Sequence, residues 1–143
     1  MDDFQACVRT RGLVRTAVEP DIIEKELDGA DSDLETARRS LAEGNPKWAV
    51  VQCYYAAFHA AKALVLSSGF REKSHGCLLA ALDELFVKQG ALERKHADLL
   101  EDLMRLRWAA DYRLEYPGEK GVRPFVEEAA SFVALARQAL KKR

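Results

Sequence analysis

Residues 105–112 read RLRWAADY, which puts Arg105, Arg107, Trp108, Asp111 and Tyr112 within just over two helical turns, with no Gly or Pro between them. Arginine supplies a planar cation suited to phosphate or carboxylate, while tryptophan and tyrosine supply flat apolar faces with polar tips. Such a set could hold a phosphate-bearing ligand or form a salt-bridged seam. A second candidate is FREKSHG, with Arg71, Lys73, the Ser74 hydroxyl and His75 ahead of a predicted helix. Cations, a hydroxyl and unpaired backbone N–H groups make an anion seat; alternatively, Ser74 only caps the helix and the cations are solvated. A third is the strip Gln52, Tyr55, His59 and Lys62, which shares a narrow arc at about 100° per residue. These four either line a polar pocket or form a small network in which His59 bonds Tyr55 or a carboxylate on another helix.

Helices must position all of these groups. Ile23, Leu27, Ala30, Leu34, Ala37 and Leu41 recur at three- and four-residue steps after Pro20, predicting a long amphipathic helix that ends at EGNP. Gly29 lies inside it and allows a bend. Residues 47–67 are apolar or small nearly all round, which predicts the buried centre of a bundle, with alanines admitting close neighbours. A third helix covers CLLAALDELFVKQG, and a fourth runs from about Leu92 to Glu115. With Leu103 at the centre of its core face, Leu92, Leu99, Leu106 and Ala110 lie within about 60°, Arg107 at about 40° and Asp111 at about 80°. Met104, Trp108 and Tyr112 then face away from that core and need another cover, from a neighbouring helix or a second copy of the protein. Pro124 opens a fifth helix carrying Phe125, Ala129, Phe132, Ala136 and Leu140, with Lys141, Lys142 and Arg143 at its end. Residues 1–19 lack helical periodicity and form a short irregular arm, basic at Arg9, Arg11 and Arg15, with an extended piece at Leu13 and Val14. The expectation is an all-α, compact bundle of about five helices over 20–143, preceded by that arm.

Composition narrows the function. A formal charge of −1 carries no global bias toward nucleic acid or membrane, so a basic site must be local. No apolar run approaches the roughly 20 residues of a membrane helix, and MDDFQACVRT does not fit a secretory signal. Cys7, Cys53 and Cys77 form no CxxC pair and complete no zinc spacing with the histidines. All three are expected as reduced, buried or half-buried residues in a cytoplasmic protein. Nothing in the sequence calls for a metal or an organic cofactor.

The ordered set YYAAFHAAKAL, SGFREKSH and RWAADY resembles the HEPN family, in the branch whose fourth helix carries Arg-x-x-Ala-Asp-Tyr. That pattern falls here on Arg107, Ala110, Asp111 and Tyr112. The resemblance implies a bundle of about five helices, usually a homodimer whose cleft is lined by this motif. It also implies a metal-independent ribonuclease, often the toxin of a toxin–antitoxin pair with a nucleotidyltransferase, or a non-catalytic module binding nucleotide, RNA or a partner. Catalytic members carry Arg, four to six residues, then His. Here no histidine follows Arg107, and His59, His75 and His96 all precede it. Metal-free RNA cleavage needs a base for the 2′-hydroxyl, an acid for the leaving oxygen and cations on the phosphate. The candidates are Arg107, Tyr112 and His75. A tyrosine phenol ionises only at about pH 10, which makes it a weak base at neutrality, and His75 serves only if its loop folds against the fourth helix. Three readings follow: a binding module, a ribonuclease with substituted residues, and a structural dimerisation seam.

Overall fold

The computed structural model describes residues 2–141. Asp2 forms a reciprocal cap: its carboxylate accepts the Gln5 N–H at 2.8 Å, and the Gln5 side chain accepts the Asp2 N–H at 3.4 Å. This starts a helix, α1 (Asp3–Arg9), where the sequence predicts only an irregular arm. One seven-residue helix spans too few turns to show periodicity, and its capping is local chemistry that a hydrophobic pattern does not register. The expected extended piece is present as β1 (Leu13–Arg15).

Pro20 starts α2 (Pro20–Ala42), which runs unbroken through Gly29, and all six stripe residues are buried. Next, α3 (Pro46–Ser67) is buried on most of its circumference, with Ala49, Ala56, Ala57, Ala60, Ala61 and Ala63 all at 0% exposure. By length and hydropathy α3 could cross a membrane, contrary to the expectation that no such run exists. However, 72% of that stretch is buried inside the bundle, which accounts for its apolar character. The following loop holds β2 (Phe70–Glu72), antiparallel to β1 with Leu13 opposite Glu72, Val14 opposite Arg71 and Arg15 opposite Phe70.

The third predicted helix is α4 (His75–Leu82), continued by a π-helical turn at Asp83–Val87. The fourth is α5 (Arg94–Trp108), continued by a second π turn at Ala109–Arg113 and ended by Leu114 in the left-handed region, φ 55°. The last is α6 (Glu119–Lys141), which begins five residues before Pro124. Fully buried Val122 draws that first turn onto the core, so the proline sits inside the helix rather than at its start. Lys142 and Arg143 lie outside the described residues. Arg137 of α6 binds Glu24 and Asp28 at 3.0 Å and Asp31 at 2.6 Å, fastening α6 to α2. Among the described residues, six helices and one two-stranded ribbon thus form an all-α bundle around α3.

The cysteine expectation is corrected for two of the three. Cys7 of α1 and Cys77 of α4 are joined in a disulfide with their Cα atoms 5.7 Å apart, and Cys53 alone is free and buried. The β1–β2 ribbon makes this possible by bringing together segments 70 residues apart. Gly12 is required there, since a Cβ at that position would stand 2.5 Å from Cys77 Sγ.

Because Ala60 is fully buried on the central helix, Ala60→Leu is expected to destabilise the fold by about 1–3 kcal/mol through overpacking. Denaturant unfolding of the variant measures this.

Candidate functional site

Tyr54 of α3 is buried in the core, beside the polar strip of that helix. A buried tyrosine needs a partner for its hydroxyl, and Tyr54 Oη lies 3.3 Å from His75 Nδ1 at the start of α4. On its other side, the Arg107 guanidinium of α5 lies over the Tyr54 ring at 5.3 Å and over the Tyr55 ring at 5.4 Å. Arg107 Nε is 3.3 Å from Asp111 Oδ2 one turn along, an ionic approach without hydrogen-bond alignment. The packing of α3 against α5 and α4 therefore gathers Tyr54, Tyr55, His75, Arg107 and Asp111 into one cluster.

Its electrostatics follow from partial burial. Desolvation pushes the Tyr54 phenol above its ordinary range, opposed by Arg107. Desolvation also holds the His75 imidazole below 6.5; Glu101 opposes this and Arg107 reinforces it. His75 Nε2 is buried without a hydrogen-bond partner. Glu72 of β2 borders the cluster, its carboxyl raised by burial against the pull of Lys62, with Oε1 unpartnered. Burial and Arg107 thus favour the neutral imidazole, and its Nε2 is left unpaired inside the cluster.

The aromatic edge lies beside this cluster. Trp108 and Tyr112 pack with ring centroids 5.5 Å apart and remain 46% and 70% exposed. Arg113 caps the Trp108 face at 4.8 Å. Met104 is half-buried one turn earlier, and Leu114 and Tyr116 extend the exposed apolar surface. The π turn at Ala109–Arg113 widens the helix where Asp111 and Tyr112 project; such turns recur at functional sites. Arg105, by contrast, is engaged with Glu101 and Asp102 along its own helix.

The other sequence candidates disperse. Ser74 caps α4 by accepting the Cys77 N–H at 3.1 Å. Lys73 is exposed, its N–H donating to Gly12 O at 2.8 Å. Arg71 borders a hollow of about 190 Å³ with Lys62 and Glu26, facing α2. The strip on α3 divides: the Gln52 amide lies 2.8 Å from Ser40, His59 meets Glu26 at 2.7 Å and Asp33 at 3.6 Å, and Lys62 lies 3.9 Å from Glu26. Only Tyr55 of that strip turns to Arg107. Tyr54, Glu72 and Arg113 are the members the sequence does not single out. The adjacent tyrosines do carry a signal, since one of two neighbouring helix positions in a buried helix must bury its hydroxyl.

A model of the HEPN domain matches residues 23–141. The chain belongs to the HEPN family. "Putative toxin MJ0605" of Methanocaldococcus jannaschii is 31% identical over 120 residues, covering 84% of this chain and 90% of the relative. "UPF0332 protein PH1297" of Pyrococcus horikoshii is 32% identical over 81 residues, 57% of each chain. A UPF0332 protein of Thermotoga maritima is 29% identical over 113 residues, 78% of this chain and 86% of the relative. In this HEPN domain the histidine that meets Tyr54 beside Arg107 comes from α4, ahead of the fourth-helix motif in sequence.

A depressed imidazole makes the unfolded chain bind its proton first as pH falls. The HEPN chain is expected to lose stability as pH drops through 6.5 toward the lower folded value of His75. Glu72, raised on folding, acts with the opposite sign. Urea midpoints taken from about pH 8 to about pH 5 should show a shallower acid-side loss in His75→Gln.

Proposed function

We propose that this HEPN protein is the phosphate-binding module of a toxin–antitoxin type pair, taking nucleotide or RNA at the Arg107 cluster and working beside a nucleotidyltransferase. The observation that carries this reading is the Arg107 guanidinium, held over two tyrosine rings, with Asp111 as its one ion-pair partner among the described residues. A cation oriented in this way, next to exposed Trp108 and Tyr112, suits a phosphate flanked by a base that stacks on an aromatic face. The toxin name of the Methanocaldococcus relative supports the setting. The Arg107, Ala110, Asp111 and Tyr112 pattern is our basis for assigning the Arg-x-x-Ala-Asp-Tyr branch. Met104, Trp108 and Tyr112 form the seam of a homodimer in this reading, which would set two Arg107 clusters along one cleft.

Loss of one charge-assisted contact is worth about 1.5–3 kcal/mol. Arg107→Ala is therefore expected to weaken binding of single-stranded RNA or ATP by about 10- to 100-fold in fluorescence anisotropy, and wild-type RNA affinity should fall with salt. Absence of binding to RNA, to nucleotides and to a co-expressed nucleotidyltransferase would sink the reading.

A second reading, a metal-independent ribonuclease with substituted residues, is favoured by the free His75 Nε2 beside Arg107. In it His75 carries its proton on Nδ1 and donates to Tyr54 Oη, and the Nε2 lone pair, buried in the free protein, accepts the 2′-hydroxyl proton once RNA binding uncovers it. Arg107 balances the charge on the phosphate, and Tyr112 is the remaining candidate acid. RNA cleavage in excess chelator should be present and should disappear in both Arg107→Ala and His75→Ala. Cleavage undiminished in both variants identifies a contaminant.

A further inference from the structure

The disulfide places a removable tie one turn from this cluster. α1 contributes no fully buried residue to the bundle. Besides the disulfide, Phe4 meets Phe70 edge to face at 5.5 Å, and Phe4 and Cys7 pack half-buried against the core. Seven residues are far fewer than an isolated helix needs to persist in water, so the docking of α1 depends on what ties it down. The other end of the tie is Cys77, whose N–H is held by the Ser74 cap. His75, two residues earlier, is the group that meets Tyr54. A groove of about 620 Å³ runs along the tie, bordered by Asp3, Cys7, Cys77, Asp83, Arg94 and Glu101. Both sulfur-bearing residues are half-buried on this groove, within reach of a small thiol. Residues 23–141, the span matching the family model, include Cys77 but not Cys7 or α1.

We propose that Cys7–Cys77 is a reversible dithiol latch: reduction releases α1 from the bundle and loosens the first turn of α4, which carries His75. A dithiol reductant supplies the chemistry. One of its thiolates attacks one sulfur of the bond, forming a mixed disulfide and expelling the other cysteine as thiolate. Its second thiolate then displaces the remaining cysteine. Two electrons and two protons pass to Cys7 and Cys77, and the reductant leaves as its own disulfide. Cys53 takes no part, being buried with its thiol pushed up to about 12. That the latch regulates ligand binding rests on the function proposed above for Arg107 and His75; the opening itself does not.

The test compares oxidised full-length protein with the same protein after dithiothreitol, under native conditions. Mass spectrometry after iodoacetamide should show two alkylated cysteines and no modification at Cys53. Trypsin cleavage after Arg9 and Arg11 should accelerate by at least about tenfold, with faster hydrogen exchange at the amides of residues 75–78. Cys7→Ser should behave as the reduced form without reductant; the reduced wild type decides the matter if that variant does not fold. A bond that resists the dithiol, or alkylation of both cysteines with unchanged proteolysis and exchange, overturns the latch. Anisotropy with a short fluorescein-labelled single-stranded RNA, read in both redox states, is expected to change on reduction. Equal binding in the two states removes the regulatory role, while no binding in either counts against the RNA reading and leaves the proteolysis and exchange result to decide the latch.

Discussion

The burial of α3 is the constraint on which the other elements depend. Its alanines bring neighbouring helices close to its backbone, and its larger residues, such as Val50, Leu64 and Val65, fill the layers between them. A helix covered on nearly every side has few directions left in which a polar side chain can avoid desolvation. Those directions are where the chemistry collects. Gln52 and His59 find partners on α2, while Tyr54 finds His75 and Arg107. The site is thus a consequence of how the core is closed.

Within it, the balance between desolvation and nearby charge determines protonation. Arg107 favours ionised Tyr54 and disfavours protonated His75, and burial disfavours both charged forms. For His75 burial and Arg107 act together against Glu101, and the balance favours the neutral ring. For Tyr54 they oppose, and burial dominates. The neighbouring Glu26, His59, Asp33 and Lys62 group holds charges of both signs close together on the adjoining face of α3. That arrangement needs no ligand to balance it, whereas the Arg107 cluster leaves a ring nitrogen unpartnered.

No histidine follows Arg107 on its own helix, and the histidine of its cluster, His75, comes from α4. A histidine following Arg on the same helix is placed by helical geometry alone. His75 is placed instead by the β1–β2 ribbon, the Ser74 cap and the Tyr54 hydroxyl, and the disulfide anchors that same turn. A group supplied by a separate element can be moved relative to Arg107, which a residue one turn along the same helix cannot.

The sequence by itself determined the helices and their inner faces. The α2 stripe, the all-round burial of α3, and the core positions Leu99 and Leu103 on α5 and Ala110 on the π turn that continues it were legible because amphipathic periodicity is local, set by 3.6 residues per turn. So were Leu13 and Val14 as an extended piece, the Arg107–Asp111 pairing one turn apart, and the turning of Trp108 and Tyr112 away from the core, while Ser74 as a cap was one of two readings left open. Local pattern had less to say about α1, too short to show a period, and about the start of α6, where buried Val122 overrides the proline signal. Only the tertiary structure decided that Cys7 meets Cys77 across 70 residues, and that His75 reaches Tyr54 beside Arg107. These contacts join residues on different elements, and their distances are set by how whole helices pack, which no window of sequence contains.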